Sequence, residues 1–174
     1  MLLYLASVAE YSIRKLEEED WRIFKEIRLK ALSSDPSVFG SNYDREANEP
    51  AVHWQESLVD KNVAVFVLFE NVSPIGITGV SVHRDDPGGR TAILWGSWME
   101  PAARGKGLSK LFYDARIAWA RQHQTIERII VTHRASNLAS KLANQKFGFV
   151  QTHVTEKVWN DGIMEEEFHY ELVL

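Results

Sequence analysis

A basic turn punctuated by glycines lies between an apolar run and an amphipathic segment, and this order constrains the fold most strongly. The apolar run covers residues 92–99, and the turn covers residues 104–107 with the sequence Arg-Gly-Lys-Gly. After the turn, apolar residues recur at the spacing of one helix face: Leu108, Leu111, Phe112, Ala115 and Trp119. A strand, a glycine turn and a helix N-terminus form an anion site, because the first N–H groups of the helix lack partners within it. The pattern predicts a ligand that carries phosphates.

The turn by itself leaves a second interpretation open, since Gly-x-Gly beside a basic residue also marks ordinary tight turns. It lacks the Gly-Lys-Ser/Thr of a Walker loop and the third glycine of a dinucleotide fingerprint. The segment Arg104-Gly105-Lys106-Gly107-Leu108-Ser109 resembles the pyrophosphate loop Arg/Gln-x-x-Gly-x-Gly/Ala of the GNAT superfamily of N-acetyltransferases. Ser109 stands at the last small position of that motif.

A second segment downstream, residues 137–149, strengthens the resemblance. The superfamily has an Asn here, then a short helix, then Lys-x-Gly-Phe, and Asn137, Lys146, Gly148 and Phe149 fall in register. Asn144 departs from the pattern, because it stands where the superfamily often has Tyr. The resemblance extends over roughly residues 11–174, and its diagnostic part is residues 92–149.

Periodicity along the chain predicts the order strand, two helices, three strands, helix, strand, helix, two strands. We expect a loop over residues 33–49 and a hairpin turn over residues 85–89. This is an α/β arrangement (an α+β mixed sheet), and the resemblance implies a sheet flanked by helices with splayed strands that form a coenzyme A groove. At 174 residues the chain is expected to be a single N-acetyltransferase domain over 1–174, with residues 1–10 as an N-terminal extension.

Composition narrows the classes of partner and compartment. The net charge of −4 argues against nucleic acid or an anionic membrane as the main partner, and no apolar run approaches the ~20 residues of a membrane span. The chain has no cysteine, which excludes disulfides and a cysteine nucleophile and suits the cytoplasm. Its histidines show no metal-ligand spacing, so no metal site is expected. Residues 1–9 are apolar like a signal peptide, but no basic residue precedes them.

The resemblance implies that acetyl-CoA is the cosubstrate and that a strand bulge opens a groove for its pantetheine arm. Gly96 is consistent with such a bulge. Trp98 also fits a second interpretation, as a core residue. The residues implied to bind the cofactor are Ser97, Trp98, Met99, Arg104, Gly105, Lys106, Gly107, Leu108, Ser109, Asn137 and Asn144.

Acetyl transfer needs a polarised carbonyl, an amine that loses a proton and a stabilised thiolate. Asn144 is a candidate catalytic residue, because its amide can hydrogen-bond the thiolate although it cannot supply a proton. Tyr113, Tyr170 or water are alternative proton donors. Glu100 is the candidate base that we name, and the alternatives are Glu46, Glu49, His53 and His133. Lack of cysteine favours direct attack of the amine, and a serine route stays open.

The segment Phe39-Gly-Ser-Asn-Tyr43 resembles a loop that borders the acceptor site in a group of bacterial-type small acetyltransferases. Phe39, Ser41 and Tyr43 are therefore candidate substrate-binding residues, while a plain turn with Phe39 in the core is the alternative. The sequence thus predicts an N-acetyltransferase that acts on a small-molecule or peptide amine, with a homodimer left open. Two other functions remain: a non-catalytic acyl-CoA-binding module, and a regulatory domain that binds another phosphate ligand.

Overall fold

The computed structural model describes residues 10–174, and the interpretation of residues 1–9 as an extension or a signal peptide lies outside that range. The strands are β1 (Tyr11–Lys15), β2 (Val63–Glu70), β3 (Ser73–Val82), β4 (Thr91–Met99), β5 (Arg128–Arg134), β6 (Val150–Val158) and β7 (Met164–Val173). The α-helices are α1 (Trp21–Ser34), α2 (Tyr43–Ala47), α3 (Ala51–Val59), α4 (Ser109–Gln122) and α5 (Leu138–Lys146). Short 3₁₀ turns occupy Glu18–Asp20, Pro36–Val38 and Pro101–Ala103.

All the strands join one 7-stranded sheet in the order β1-β2-β3-β4-β5-β7-β6. Neighbouring strands are antiparallel except β4 and β5, which run parallel. Helix α4 is therefore the crossover that returns the chain to the same end of the sheet. The prediction of a mixed sheet covered by helices is confirmed.

Helices cover both faces of the sheet because alternate residues of its central strands are buried on opposite sides. Val65 and Val67 of β2 pack with α1 and α3, in a core that includes Phe24, Ile27 and Trp54. On the opposite face, a second core joins strands β2, β4 and β5 to α4 and α5: Ala64, Phe66, Ala92, Leu94, Tyr113, Ile129 and, partly buried, Ala143.

Strand β4 carries the predicted bulge. Gly79 of β3 pairs with Trp95, but Ile77 pairs with Trp98, so that Gly96 and Ser97 both lie opposite Thr78. Gly96 has a φ of +66°, a conformation that favours glycine.

Strand β4 separates from β5 before it reaches the bulge. Their parallel pairing runs only from Thr91 opposite Arg128 to Ile93 opposite Ile130. The C-terminal halves of the two strands are thus splayed, and a gap crosses the sheet between them.

The predicted order of elements is confirmed, with one addition in the stretch expected to be a loop. Helix α2 lies within residues 33–49, and the Asn42 side chain caps it by accepting a hydrogen bond from the Arg45 N–H at 2.9 Å. A helix of 5 residues is too short to produce a periodic apolar pattern, which is why periodicity misses it. Within residues 10–174, no helix has the length and apolar character needed to span a bilayer.

Candidate functional site

A cavity of about 1210 Å³ passes from the N-terminus of α4 through the gap between β4 and β5 to the face covered by α1 and α3. Most of the residues predicted for the cofactor line it: Ser97, Trp98, Met99, Arg104, Gly105, Gly107, Leu108, Ser109, Asn137 and Asn144. Phe39 and Ser41, predicted for the acceptor, line the same cavity. Lys106, Glu100 and Tyr43 do not.

The glycine turn presents a row of free backbone donors. The N–H groups of residues 105–109 donate to no backbone or side-chain acceptor among residues 10–174. Gly105 and Gly107 have φ values of +75° and +76°, and a Cβ at either glycine would meet nothing within 4 Å. No side chain caps the N-terminus of α4. Free donors at a helix N-terminus bind anions well, since the helix dipole adds to the hydrogen bonds.

The basic side chains of the turn are held by the protein. Arg104 donates from Nη2 to Asp35 Oδ2 at 2.6 Å and from Nε to the carbonyl oxygen of Met99 at 2.8 Å. Lys106 is exposed, and its Nζ donates to the hydroxyl of Tyr11 at 3.1 Å. The donors left free for an anion at this turn are therefore mainly backbone N–H groups.

Arg104 also links the glycine turn to the C-terminal end of α1. Asp35 Oδ2, which accepts from Arg104, accepts a second hydrogen bond from Trp98 Nε1 at 2.7 Å. Burial raises the pKa of Asp35, but the hydrogen bonds from Arg104 and Trp98 outweigh it and hold that pKa below its usual value. Trp98 is a buried core residue and also part of the cavity wall, so its burial is compatible with the predicted contact to the cofactor.

A buried polar cluster lies where the cavity passes α4 and α5. Tyr113 donates from its hydroxyl to Asn144 Oδ1 at 2.6 Å, and Arg116 donates from Nη1 to Ser97 Oγ at 2.7 Å. Asn144 is 1% exposed, and its Nδ2 has no partner among residues 10–174. Asn137 caps α5 by accepting from the Ser140 N–H at 3.1 Å. The amide of Asn144 thus keeps one donor free.

The hydroxyls proposed as proton donors are poorly suited to that role. Burial raises the pKa of Tyr113 and also that of Tyr170. The Tyr113 proton is already directed at Asn144, and Tyr170 does not line the cavity.

The loop predicted to border the acceptor site is held by the turn between β6 and β7. Asn160, in the turn between β6 and β7, donates from Nδ2 to the carbonyl oxygens of Phe39 and Ser41 at 2.9 and 2.8 Å. Phe39 is buried, as the alternative of a core residue requires, and it also lines the cavity. Tyr43 is 44% exposed at the start of α2, away from the cavity.

A buried ion pair lies beside the bulge. Arg28 donates from Nε and Nη2 to the two carboxylate oxygens of Glu46, at 2.9 and 2.8 Å. Its remaining nitrogen, Nη1, is buried without a partner among residues 10–174 and lies 3.3 Å from where a Cβ of Gly96 would be. Burial raises the pKa of Glu46, but Arg28 outweighs it and lowers that pKa overall. Glu46 is therefore a weak base.

The other candidate bases differ in their surroundings. Glu100 forms an ion pair with Lys30. Glu49 and His53 line the cavity, and His53 Nδ1 lies 3.8 Å from Glu49 Oε2. His133 lines the cavity, and its Nδ1 lies 2.8 Å from the carbonyl oxygen of Arg134. Since a carbonyl only accepts, Nδ1 carries the proton and Nε2 has the free lone pair. Nε2 is buried with no partner among the described residues.

Sequence reasoning missed Arg28, Arg116 and Asn160. Both arginines stand on the buried faces of their helices, between apolar neighbours at helical spacing. A basic residue within an apolar helix face can be recognised in the sequence, so a signal for Arg28 and Arg116 was available. The sequence carries no such signal for Asn160, because its hydrogen-bond partners are more than 100 residues away in the chain.

Comparison with known proteins places these features in a family. The model of the acetyltransferase (GNAT) family matches residues 12–149. The fold is similar to that of a GNAT-family acetyltransferase from Streptococcus pneumoniae, with a TM-score of 0.78, 18% identity, and coverage of 95% of this chain and 100% of that one. No curated protein matches the chain by sequence.

Two further solved structures from Salmonella typhimurium share the fold. One is yncA with its cofactor acetyl-CoA, at a TM-score of 0.75, 22% identity, and coverage of 95% of this chain and 94% of that one. The other is an acetyl transferase that modifies the N-terminal serine of ribosomal protein L7/L12, at a TM-score of 0.74, 15% identity, and coverage of 94% and 95%.

Proposed function

Because the chain belongs to the acetyltransferase (GNAT) family, we propose that it transfers the acetyl group of acetyl-CoA to a primary amine by direct attack in a ternary complex. One observation carries the proposal: a single cavity extends from the free N–H groups at the start of α4 to the opposite face of the sheet, where residues of α1 and α3 line it. Two substrates that enter from opposite faces can therefore meet at the gap between β4 and β5.

The cavity fits coenzyme A in two respects. Unpaired N–H groups at the start of α4 suit a pyrophosphate, because each offers a hydrogen bond directed at an anion. The splayed halves of β4 and β5 leave strand edges that an extended pantetheine arm can join. When bound, acetyl-CoA supplies the activated acetyl group. The similar fold of yncA, solved with acetyl-CoA, supports this assignment.

The acceptor pocket is close to electrically neutral. Three carboxylates that line the cavity are paired with cations: Glu46 with Arg28, Asp35 with Arg104, and Glu167 with Lys157. The lining also holds three carboxylates without a Lys or Arg partner among residues 10–174, together with two further arginines: Glu49, Glu56, Asp60, Arg45 and Arg84. Pairing of Glu46 beside the bulge suits an amine that must lose its proton before it attacks, since this carboxylate does not hold the amine as an ammonium. The acceptor is an amine of a small molecule or a peptide, and the transferase for L7/L12 shows that a protein of this fold modifies a peptide N-terminus.

We assign the proton-accepting role to His133. Burial lowers the pKa of His133, so the imidazole is neutral at pH 7, and its Nε2 lone pair has no competing donor among residues 10–174. Glu100, the base named from the sequence, pairs with Lys30 outside the cavity. The variants His133→Gln and Glu100→Gln distinguish the two residues.

A screen of amines that follows release of the coenzyme A thiol tests the function. The chain has no cysteine, so the background of such an assay is low. We expect acetyl-CoA to be consumed only when an acceptor amine is present. Binding of coenzyme A with no turnover on any amine would favour a non-catalytic acyl-CoA-binding module.

A further inference from the structure

Arg116 is a buried cation without an ion-pair partner in the described part of the chain. It is 2% exposed on the sheet-facing side of α4, and none of the ion pairs found within residues 10–174 includes it. Its hydrogen bonds go to neutral groups, from Nη1 to Ser97 Oγ and from Nε to the carbonyl oxygen of Phe112. Its guanidinium carbon also lies 4.6 Å from the centre of the Tyr113 ring.

The guanidinium stays charged despite its burial. Desolvation lowers the pKa of Arg116 to about 10, which leaves it protonated at neutral pH. Tyr113 is the titratable group in contact with it, and burial raises the pKa of that phenol, which is therefore neutral at pH 7 and supplies no counter-charge. An uncompensated buried charge is costly to a fold, so its retention calls for an anion that the protein itself does not supply.

The position of Arg116 indicates which part of the cofactor its charge can reach, the phosphates or the sulfur at the acyl end. Arg116 lies seven residues beyond Ser109, about 10 Å along the helix from the free donors proposed for the pyrophosphate. It lines the cavity together with Ser97, Tyr113 and Asn144, beside the gap between β4 and β5. Charge at this point is therefore available to the acyl end of the cofactor rather than to its phosphates.

We propose that Arg116 stabilises the coenzyme A thiolate that leaves during acetyl transfer, an inference that rests on the proposed function. The amine nitrogen forms a bond to the thioester carbonyl carbon, and the carbon–sulfur bond then breaks with its electron pair on sulfur. The proton lost by the amine goes to His133. The sulfur leaves as a thiolate beside the positive charge of Arg116 and needs no proton from the protein.

This role explains how the site works without a tyrosine at position 144. Tyr113 keeps its proton, because it donates to Asn144 Oδ1 and its pKa is raised by burial. The unpartnered Nδ2 of Asn144 is free to donate a hydrogen bond to the same sulfur. Electrostatic stabilisation of the thiolate thus replaces general-acid catalysis.

The test is the pH dependence of coenzyme A affinity, measured by calorimetry against S-methyl-coenzyme A, which has no ionisable thiol. If Arg116 favours the thiolate, the thiol of bound coenzyme A has a pKa below the value that the same thiol has in free coenzyme A. The affinity of coenzyme A relative to its S-methyl analogue then rises with pH, by about tenfold for each unit by which that pKa is lowered. In Arg116→Met this rise should disappear, and in Arg116→Lys it should be partly restored.

Two controls keep the outcome clear. Arg121→Met removes an exposed arginine from the same helix and should leave the rise unchanged. Arg116→Met should not lower the melting temperature, since it removes an unpaired buried charge; a purely structural arginine would give the opposite result. Tight binding with the same pH dependence in wild type and Arg116→Met would overturn this inference alone. Absence of coenzyme A binding in the wild type would instead overturn the proposed function.

Discussion

Arg104 shows how a side chain and the backbone beside it can serve different purposes. The sequence suggested that Arg104 adds charge to a phosphate site, but its guanidinium is bonded to Asp35 and to the Met99 carbonyl. The free donors are the backbone N–H groups of residues 105–109. We therefore expect anion binding to depend on the conformation of the glycines rather than on the charge of the turn.

Gly107→Val should abolish coenzyme A binding and leave a folded protein. The φ of Gly107 is +76°, which a β-branched residue adopts only with strain, and the side chain would occupy the space of the ligand. Gly162→Val is the matched control, because Gly162 has a φ of +78°, is equally open and lies in the β6–β7 turn. Calorimetric affinity for coenzyme A should be lost in the first variant and kept in the second. Wild-type affinity in Gly107→Val would refute the phosphate site.

His133 should determine the acidic side of the pH–rate profile. Because burial lowers the pKa of His133, its neutral form persists below pH 6.5, and kcat/KM should fall only as the pH drops through that lowered pKa. His133→Gln should lower turnover by roughly 10²–10⁴-fold and remove this limb of the profile. Glu100→Gln should leave both turnover and profile close to wild type. The reverse pattern would assign the base to Glu100.

At the scale of elements, short sequence patterns predict the features that depend only on residues close together in the chain. Strands β2 and β3, helix α4 and the bulge at Gly96 all follow from apolar periodicity and glycine placement. Contacts between segments that are far apart in the chain could not be predicted from these patterns, because no periodicity of the sequence encodes them. The pairing of Arg28 with Glu46, and the bonds from Asn160 to the acceptor loop, depend on how α1, α2 and the β6–β7 turn meet after folding.

The β6–β7 turn should control the acceptor and not the cofactor. Asn160→Ala removes both hydrogen bonds to the loop at Phe39 and Ser41, so the pocket wall loses its anchor. The loss of two ordinary hydrogen bonds corresponds to about 1–3 kcal/mol. We expect the acceptor KM to rise several-fold while coenzyme A affinity stays the same.

Asn48→Ala is a suitable control for the change at Asn160. Like Asn160, Asn48 donates a hydrogen bond from its side-chain Nδ2 to the backbone. Its one acceptor is the carbonyl oxygen of Asp44, at the exposed end of α2. Its removal should leave both kinetic constants unchanged. An unaltered acceptor KM in Asn160→Ala would show that this loop does not form the acceptor site.

At the scale of the molecule, the proposed function gives one sheet two substrate sites. The face covered by α4 and α5 carries the free N–H groups proposed for the cofactor and the buried cluster around Arg116, and the face covered by α1 and α3 carries the part of the cavity proposed for the acceptor. The two regions are connected through the gap that the short pairing of β4 with β5 leaves beside the bulge. A ligand that fills this gap contacts both halves of the protein.

Coenzyme A should accordingly stabilise the whole fold. A ligand at 100 times its Kd adds about 2.7 kcal/mol to the free energy of unfolding. For a chain of this size that raises the melting temperature by roughly 5–10 °C. Thermal denaturation with and without coenzyme A measures the shift, and adenosine 3′,5′-bisphosphate at the same concentration shows how much of it the nucleotide end provides. An unchanged melting temperature at millimolar coenzyme A would contradict the cofactor assignment.

The central claim is that both substrates meet in one cavity and that the acetyl group passes from one to the other. Its most direct test is the ratio of acetylated amine, measured by mass spectrometry, to thiol released from acetyl-CoA. The account predicts one acetylated amine for each thiol in the wild type and neither product in Gly107→Val. Thiol release without acetylated amine, or tight coenzyme A binding without either product on any amine tested, would contradict it.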